Sequence, residues 1–173
     1  YAAGQMAGGA VVGVYHTCSP EEVEWVVGNS QSRIVFVGDN PMDGGNTEKM
    51  PVHRLHEALA NLDSVEHVIV FDGVEVLDHP KMMSWSEFYS KGNSLPDSVV
   101  LERTNAIQSD DVASLIYTSG TTGNPKGVML THRNMEFELD AVAEIFTYEQ
   151  GEKYVSWLPL AHVFGQLVDC GYC

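Results

Sequence analysis

The residues best suited to chemistry in this sequence lie in one stretch, residues 117–127, which reads YTSGTTGNPKG. Three of these residues are glycines, which allow successive backbone N–H groups to turn toward a single point. The side-chain donors are four aliphatic hydroxyls and one ammonium group, on Thr118, Ser119, Thr121, Thr122 and Lys126. The stretch therefore predicts a loop that binds an anion of several charges, and a polyphosphate is the natural ligand.

The spacing of the glycines and the lysine excludes two common phosphate-binding loops. In a Walker-type loop, G-x-x-x-x-G-K-[ST], a glycine occupies the sixth position and the lysine follows it. Here the sixth position counted from Gly120 is Pro125, and Lys126 precedes its glycine. The dinucleotide pattern G-x-G-x-x-G is also absent, because the glycines are three and four residues apart. Any phosphate must be bound by loop amides, hydroxyls and Lys126.

Two strands and a helix must position this loop. Residues 112–117 predict a strand that ends at the loop, and residues 127–130 (GVML) predict a strand that leaves it, so that no helix N-terminus faces the anion. Thr131 is then expected to cap a helix. The apolar face of this helix carries Met135, Leu139, Val142 and Phe146.

The rest of the chain alternates helical and extended segments. Ser19 with Glu22, and Ser84 with Glu87, have the spacing of capping boxes that begin helices. Further helices are predicted at residues 2–10, from 51 with Val52, Leu55, Leu59 and Leu62 on one face, and from 161; strands are predicted at residues 11–15, 33–37, 65–71 and 154–158. This alternation predicts an α/β fold with a mainly parallel sheet flanked by helices on both faces, in which residues 33–37 (RIVFV) form a buried strand.

Composition excludes several classes of partner and site. The 24 acidic and 9 basic residues give a formal charge of −15, which repels a nucleic-acid backbone, so no nucleic-acid partner is predicted. No apolar run approaches the roughly 18 residues that a membrane-spanning helix needs. His53 and His56 lie three residues apart on a predicted helix, where a solvated face explains them more simply than a metal, and no metal ligand is assigned.

The three cysteines are odd in number and lack the spacing of a disulfide framework, which fits a reducing, intracellular compartment. Cys170 and Cys173 form a C-x-x-C pair, but the expected context of a strand followed by a helix is missing, so a redox role is not predicted. The chain begins at Tyr1 and its last residues read as an unfinished element, so we expect an internal part of a longer protein.

Two motifs resemble those of the adenylate-forming (ANL) enzymes, a superfamily of acyl-CoA synthetases, luciferases and peptide-synthetase adenylation domains. Residues 117–134 (YTSGTTGNPKGVMLTHRN) resemble its signature, and residues 156–162 (SWLPLAH) resemble its downstream LPL-x-H segment. The wording LPLAHVFGQ most resembles long-chain fatty acyl-CoA synthetases of the bubblegum type. The resemblance implies that residues 1–150 are the first α/β lobe of the AMP-binding domain, and that residues 151–173 begin a second lobe at the charged turn of residues 149–153.

The same resemblance implies a reaction and a set of site residues. ATP would activate a long-chain fatty acid to an acyl-adenylate, and coenzyme A would then capture the acyl group. The loop residues that would close on the ATP phosphates are Thr118, Ser119, Gly120, Thr121, Thr122, Gly123 and Lys126. His162 would lie beside the substrate carboxylate as the candidate catalytic residue. Magnesium is implied by the triphosphate, although this chain offers no ligand that can be assigned to it.

Two alternatives stay open at this point. Within the superfamily, the substrate could be another carboxylic acid, such as an aryl or amino acid. Outside it, the chain could belong to a non-catalytic nucleotide-binding module. The 173-residue chain alone is predicted to be inactive, because the adenine, ribose and coenzyme A contacts of the superfamily lie in later motifs. The oligomeric state is not predicted. An intracellular location is expected, either cytoplasmic or peripheral to an organelle membrane, and the sequence does not choose between the two. Peripheral membrane contact is expected from the hydrophobic substrate alone.

Overall fold

The computed structural model describes residues 1–38, 50–118, 123–145, 151, 153, 155, 158–159 and 161–166. The chain divides into two compact units, one formed by Tyr1–Gly13 with Asp97–Cys173 and the other by Val14–Pro96. In chain order the elements are α1 (Ala2–Met6), β1 (Val11–Val12), α2 (Pro20–Asn29), β2 (Ile34–Val37), α3 (Pro51–Ala58), a 3-10 turn (Leu59–Asn61), β3 (His67–Val70), β4 (Met82–Ser84), α4 (Trp85–Gly92), α5 (Asp97–Ala106), β5 (Val112–Thr118), β6 (Lys126–Thr131) and α6 (His132–Ile145).

The unit Val14–Pro96 contains a parallel sheet in the order β2-β3-β4. Val68 and Val70 of β3 pack into a buried core with apolar side chains of α2, α3 and the 3-10 turn. Ile69 lies between them in sequence, so it points to the opposite face, where it lines a groove with Phe88 of α4. Helices therefore cover both faces of this sheet, as predicted.

Capping boxes begin two of the helices in this unit. At the start of α2, Ser19 Oγ accepts a hydrogen bond from the Glu22 backbone N–H at 3.3 Å, and Glu22 Oε2 accepts one from the Ser19 N–H at 2.8 Å. Ser84 and Glu87 make the same reciprocal pair at the start of α4. Each box satisfies backbone donors that have no partner within the helix, which confirms both predicted helix starts.

The other unit contains a sheet in the order β1-β5-β6, in which β1 is parallel to β5 and β6 is antiparallel to it. Within the described residues, the six strands thus form two three-stranded sheets, and three of the four strand pairings are parallel. The α/β fold class is confirmed. The mixed pairing arises because a short hairpin connects β5 to β6, whereas a crossover connects the parallel neighbours.

Three elements differ from the sequence-based prediction, and one of them is the short strand β4, which was not predicted. The strand over residues 33–37 exists as β2, but it is not buried: the side chains of Ile34 and Phe36 are 49% and 48% exposed. The α2 and α3 helices cover only one face of β2, and Phe36 joins a surface cluster of aromatic rings with Phe71 and Phe88. The helix α5 has no predicted counterpart, because its apolar residues are consecutive and do not recur at helical spacing.

Of the other sequence-based predictions, some agree with the structure in part and some concern residues outside the described ranges. The first predicted strand shortens to β1, and the face of α6 that carries Met135, Leu139 and Val142 is half-buried, while Phe146 lies outside the described residues. Most of the strand predicted at residues 154–158 is also outside them, as are Cys170 and Cys173. The boundary between residues 150 and 151 stays a prediction. No helix in the described parts of the chain is long and apolar enough to cross a membrane.

Candidate functional site

The hairpin of β5 and β6 places two predicted site residues side by side. Thr118, the last residue of β5, is paired across the ladder with Lys126, the first residue of β6. Directly opposed residues of an antiparallel pair have Cα atoms about 4.5–5.5 Å apart and side chains on the same face. Both residues are exposed. A hydroxyl donor and an ammonium group therefore lie together at the end of the hairpin where the loop connects the two strands.

The next pair along the ladder, Tyr117 and Gly127, explains why a glycine follows the lysine. A Cβ atom at Gly127 would lie 3.0 Å from Cζ of the Tyr117 ring and 3.2 Å from its hydroxyl oxygen. The ring therefore packs directly over the glycine backbone, and a larger residue would push it away. This contact stabilises the register that pairs Thr118 with Lys126.

The loop itself is described only at its C-terminal side. Ser119, Gly120, Thr121 and Thr122 lie outside the described residues, so their predicted phosphate contacts stay predictions. Gly123 is described, with φ at +94° and no atom within 4 Å of the position of a Cβ. Such a φ is strained for any residue with a side chain, which accounts for glycine at this position.

The residues after the loop attach the hairpin to neighbouring elements. β6 leaves the loop as a strand, which confirms that no helix N-terminus follows the loop directly. Thr131 caps α6, since its Oγ1 accepts a hydrogen bond from the Asn134 N–H at 3.3 Å. Arg133 Nε lies 2.8 Å from Asp110 Oδ1, and the guanidinium holds the pKa of that carboxyl below its usual value. The end of the signature motif thus ties α6 to the chain just before β5.

His162 lies in a second segment, residues 158–166, and its side chain is exposed. Its backbone N–H donates to Pro159 O at 2.8 Å, and its Nδ1 accepts a hydrogen bond from the Phe164 N–H at 3.2 Å. In the neutral imidazole, an accepting Nδ1 leaves the proton on Nε2. The Nε2–H is then the donor that His162 offers to an acceptor such as a carboxylate.

Two contacts that sequence reasoning missed hold this segment against the β1-β5-β6 sheet. Ser114 of β5 and Gln166 are the buried polar side chains among the described residues, at 0% and 1% exposure. Ser114 Oγ lies 3.1 Å from Gln166 Oε1 and 3.0 Å from Val11 O. A Cβ atom at Gly13 would lie 2.5 Å from the Ala161 Cα, so the two backbones touch there. The only sequence signal was the position of Gln166 in the LPLAHVFGQ motif, which does not reveal burial.

The structure thus brings together some of the predicted site residues. Thr118, Gly123 and Lys126 belong to one hairpin. No hydrogen bond or ion pair among the described residues joins His162 to any of them. Both segments are nevertheless attached to β5, because the strand ends at Thr118 and carries Ser114 four residues earlier.

The donors of the hairpin suit an anion and do not suit a magnesium ion, which prefers carboxylate and other oxygen ligands. In the part of the chain that is described, no three histidine, cysteine or acidic side chains form a metal-binding group. His56 contacts His79 with ring centroids 5.7 Å apart, and this pair has no third ligand within the same limits. A groove of about 490 Å³ lies beside β3 and α4, but none of its lining residues was predicted to belong to the site.

Comparison with known proteins defines the class of this chain. The model of the AMP-binding enzyme family matches residues 1–173. The chain belongs to this family, and its resemblance to the adenylate-forming enzymes is confirmed. The fold also matches that of the red-emitting luciferase of Phrixothrix hirtus, with a TM-score of 0.64 and 17% identity over 98% of this chain and 30% of the luciferase.

The curated relatives narrow the comparison. The chain is 36% identical to the long-chain-fatty-acid–CoA ligase ACSBG2 of Gallus gallus over 168 residues, which cover 94% of this chain and 21% of that ligase. It is 32% identical to the ligase ACSBG2 of Homo sapiens over 165 residues, covering 95% of this chain and 23% of the relative. The chain therefore spans about a fifth of the length of the curated relatives it matches.

Proposed function

We propose that the parent protein is an AMP-forming acid–thiol ligase that activates a long-chain fatty acid with ATP and transfers it to coenzyme A. The pairing of Thr118 with Lys126 at the end of the β5–β6 hairpin carries this proposal, because it places a hydroxyl and a cation where the signature loop begins and ends. The similarity to two long-chain-fatty-acid–CoA ligases supports the choice of substrate.

In the first step, a carboxylate oxygen attacks the α-phosphorus of ATP. A new C–O–P linkage forms, the bond to the bridging oxygen breaks, and pyrophosphate leaves with the electron pair. A fatty acid with a pKa of about 4 to 5 is already ionised at neutral pH, so the step needs no strong base. It needs geometry and stabilisation of the charge that accumulates on pyrophosphate. Lys126 and the loop donors are assigned to that charge.

In the second step, the sulfur of coenzyme A attacks the acyl carbon. The C–S bond forms, the C–O bond to AMP breaks, and the thiol proton passes to solvent. The Nε2–H of His162 is assigned to orienting the substrate carboxylate before the first step.

The described residues do not offer a magnesium site, so no step is assigned to a metal on this chain. The ligands are thus small molecules, and contact with a membrane would be peripheral, at an intracellular site where fatty acids partition into lipid.

The test is pyrophosphate exchange by the parent protein with Lys126→Ala. Loss of a charge-assisted hydrogen bond costs about 1.5–3 kcal/mol, which lowers the rate roughly 10- to 150-fold. Since Lys126 is exposed, the melting temperature should stay close to that of the wild type. Lys91→Ala is the matched control, because it removes an exposed lysine from α4, which belongs to the unit Val14–Pro96. A full exchange rate in Lys126→Ala would refute the role of this lysine.

A panel of acids separates the proposed substrate from the alternatives. Exchange should be fastest with long-chain fatty acids, and slow with benzoate and with free amino acids. Preference for an aryl or amino acid would move the protein to another branch of the same family. Nucleotide binding without exchange for any acid would identify a non-catalytic module.

A further inference from the structure

We propose that the buried Ser114–Gln166 pair is a positioning device for His162, so that it controls binding of the acid and leaves binding of ATP unchanged. The inference rests on the proposed function, in which His162 faces the substrate carboxylate. Their effect would pass through the backbone of residues 161–166.

The side chain of Gln166 attaches its segment to the β1-β5-β6 sheet. Its side chain is 1% exposed and its Oε1 lies 3.1 Å from Ser114 Oγ. Ser114 is itself fully buried, and its hydroxyl also lies within hydrogen-bonding distance of Val11 O in the neighbouring strand β1. Buried polar groups are hydrogen-bonded because an unpaired one is costly, so the single hydroxyl hydrogen of Ser114 is donated either to Val11 O or to Gln166 Oε1, and removal of either side chain disrupts this buried contact.

A backbone hydrogen bond links Gln166 to His162. The Gln166 backbone N–H donates to His162 O at 3.2 Å, which closes one helical turn. Within that turn, the Phe164 N–H donates to His162 Nδ1 and selects the tautomer with its proton on Nε2. The anchored glutamine and the oriented imidazole therefore belong to the same turn of backbone.

Close backbone packing at Ala161 provides a second attachment of this segment. Gly13 touches the backbone of Ala161, the residue just before His162. A Cβ atom at Gly165 would lie 2.8 Å from Pro159 O, so the turn folds back tightly on itself. The segment is held at Ala161 by this contact and at Gln166 by the buried pair. His162 lies between the two attachments, so loss of the buried pair would remove one of the contacts that fix its backbone.

The closing experiment measures Michaelis constants in the parent protein. Ser114→Ala removes the hydroxyl with little change in volume, and Gln166→Met removes the amide at nearly constant size. We expect each to raise the KM for the fatty acid roughly ten- to hundred-fold, the range for a displaced positioning group, while the KM for ATP stays within about twofold. Val52→Ala is the control, because it disrupts the core of the other unit and should lower the melting temperature without changing either KM.

A second arm tests whether the effect passes through His162. In a His162→Ala background, Gln166→Met should not raise the KM for the fatty acid further, because the group that it positions is gone. An equal rise with and without His162 would overturn the proposal. A parallel rise in both KM values, or no rise in either, would overturn it as well.

A third arm does not depend on turnover. In the parent protein with labelled histidine, the imidazole nitrogen shifts of His162 should report one neutral tautomer, with the proton on Nε2. Ser114→Ala and Gln166→Met should each produce a mixture of tautomers. Unchanged populations would refute positioning, even if the wild type proved inactive. Inactivity of the wild type with every acid would instead refute the proposed function, so the two failures are distinguishable.

Discussion

Gly123 and Lys126 contribute to the end of the hairpin in different ways. Lys126 provides a charge, and its long stem lets the ammonium group follow a phosphate. Gly123 provides a backbone conformation, with φ at +94°, that turns the chain before β6. A side chain at Gly123 would meet no atom within 4 Å, so its cost is conformational and not steric crowding by neighbours.

Gly123→Ala should therefore impair catalysis through the backbone. The positive φ costs an alanine about 1–2 kcal/mol, which corresponds to a roughly 5- to 30-fold change in a population. We expect pyrophosphate exchange to fall by that factor. Gly92→Ala is the control, because Gly92 ends α4 without a positive φ and also has open space around it. That substitution should leave exchange unchanged and stabilise the helix slightly. Wild-type exchange by Gly123→Ala would contradict the argument.

At the scale of elements, helix starts in this chain couple stability to pH. The backbone N–H and the hydroxyl of Ser84 donate hydrogen bonds to Glu87, and they hold the pKa of this carboxyl below its usual value. A lowered pKa in the folded state means that the carboxylate favours folding. This contribution is fully present above the pKa of the unfolded chain and is lost as the pH falls through the folded pKa.

Ser84→Ala should destabilise the chain by about 1 kcal/mol at neutral pH, because α4 loses its N-cap. The difference from the wild type should shrink in acid, once Glu87 is protonated and one of the lost hydrogen bonds no longer counts in either protein. Urea unfolding at pH 7 and at a series of lower pH values, continued until the difference no longer changes, measures this coupling. Ser86→Ala, at an exposed position two residues after the N-cap, should show no loss at any of these pH values. A pH-independent loss in Ser84→Ala would refute the coupling to Glu87.

At the scale of the whole molecule, the charge of −15 opposes the compact state. Two exposed ion pairs, Arg33–Glu66 and Arg133–Asp110, act in the other direction. Exposed pairs contribute little to stability, and salt screens them as it screens the repulsion. With 24 acidic and 9 basic residues, the repulsion involves many more charges than the two pairs do. Screening should therefore stabilise the protein on balance.

We expect the melting temperature at pH 7 to rise by roughly 2–4 °C between low salt and 0.3 M NaCl, the shift that about 1 kcal/mol produces at this chain length. Glu75→Lys, at an exposed loop position, lowers the magnitude of the net charge and should reduce the rise. A melting temperature that falls with salt would show that the ion pairs outweigh the repulsion.

Signals between residues close in sequence were sufficient for part of the local structure, although α5 and β4 were not predicted. The capping serines set the starts of α2 and α4, and the spacing of Val52 and Leu55 predicted the buried face of α3. The composition of residues 117–127 identified the candidate loop. These features follow from the sequence because caps, helical spacing and turn chemistry join residues within about four positions of one another.

Only the tertiary structure decided what the local signals could not reach. The link between Ser114 and Gln166 spans 52 positions, and the hydrogen bond from Ser114 to Val11 O spans 103. The exposed face of β2 depends likewise on which helices pack against its sheet. Such contacts form cooperatively, when hydrated segments that are distant in sequence pack against one another. The residue type at one position does not indicate which distant residue it will contact. The residues of the loop could therefore be identified from the sequence, whereas the buried Ser114–Gln166 pair behind His162 could not.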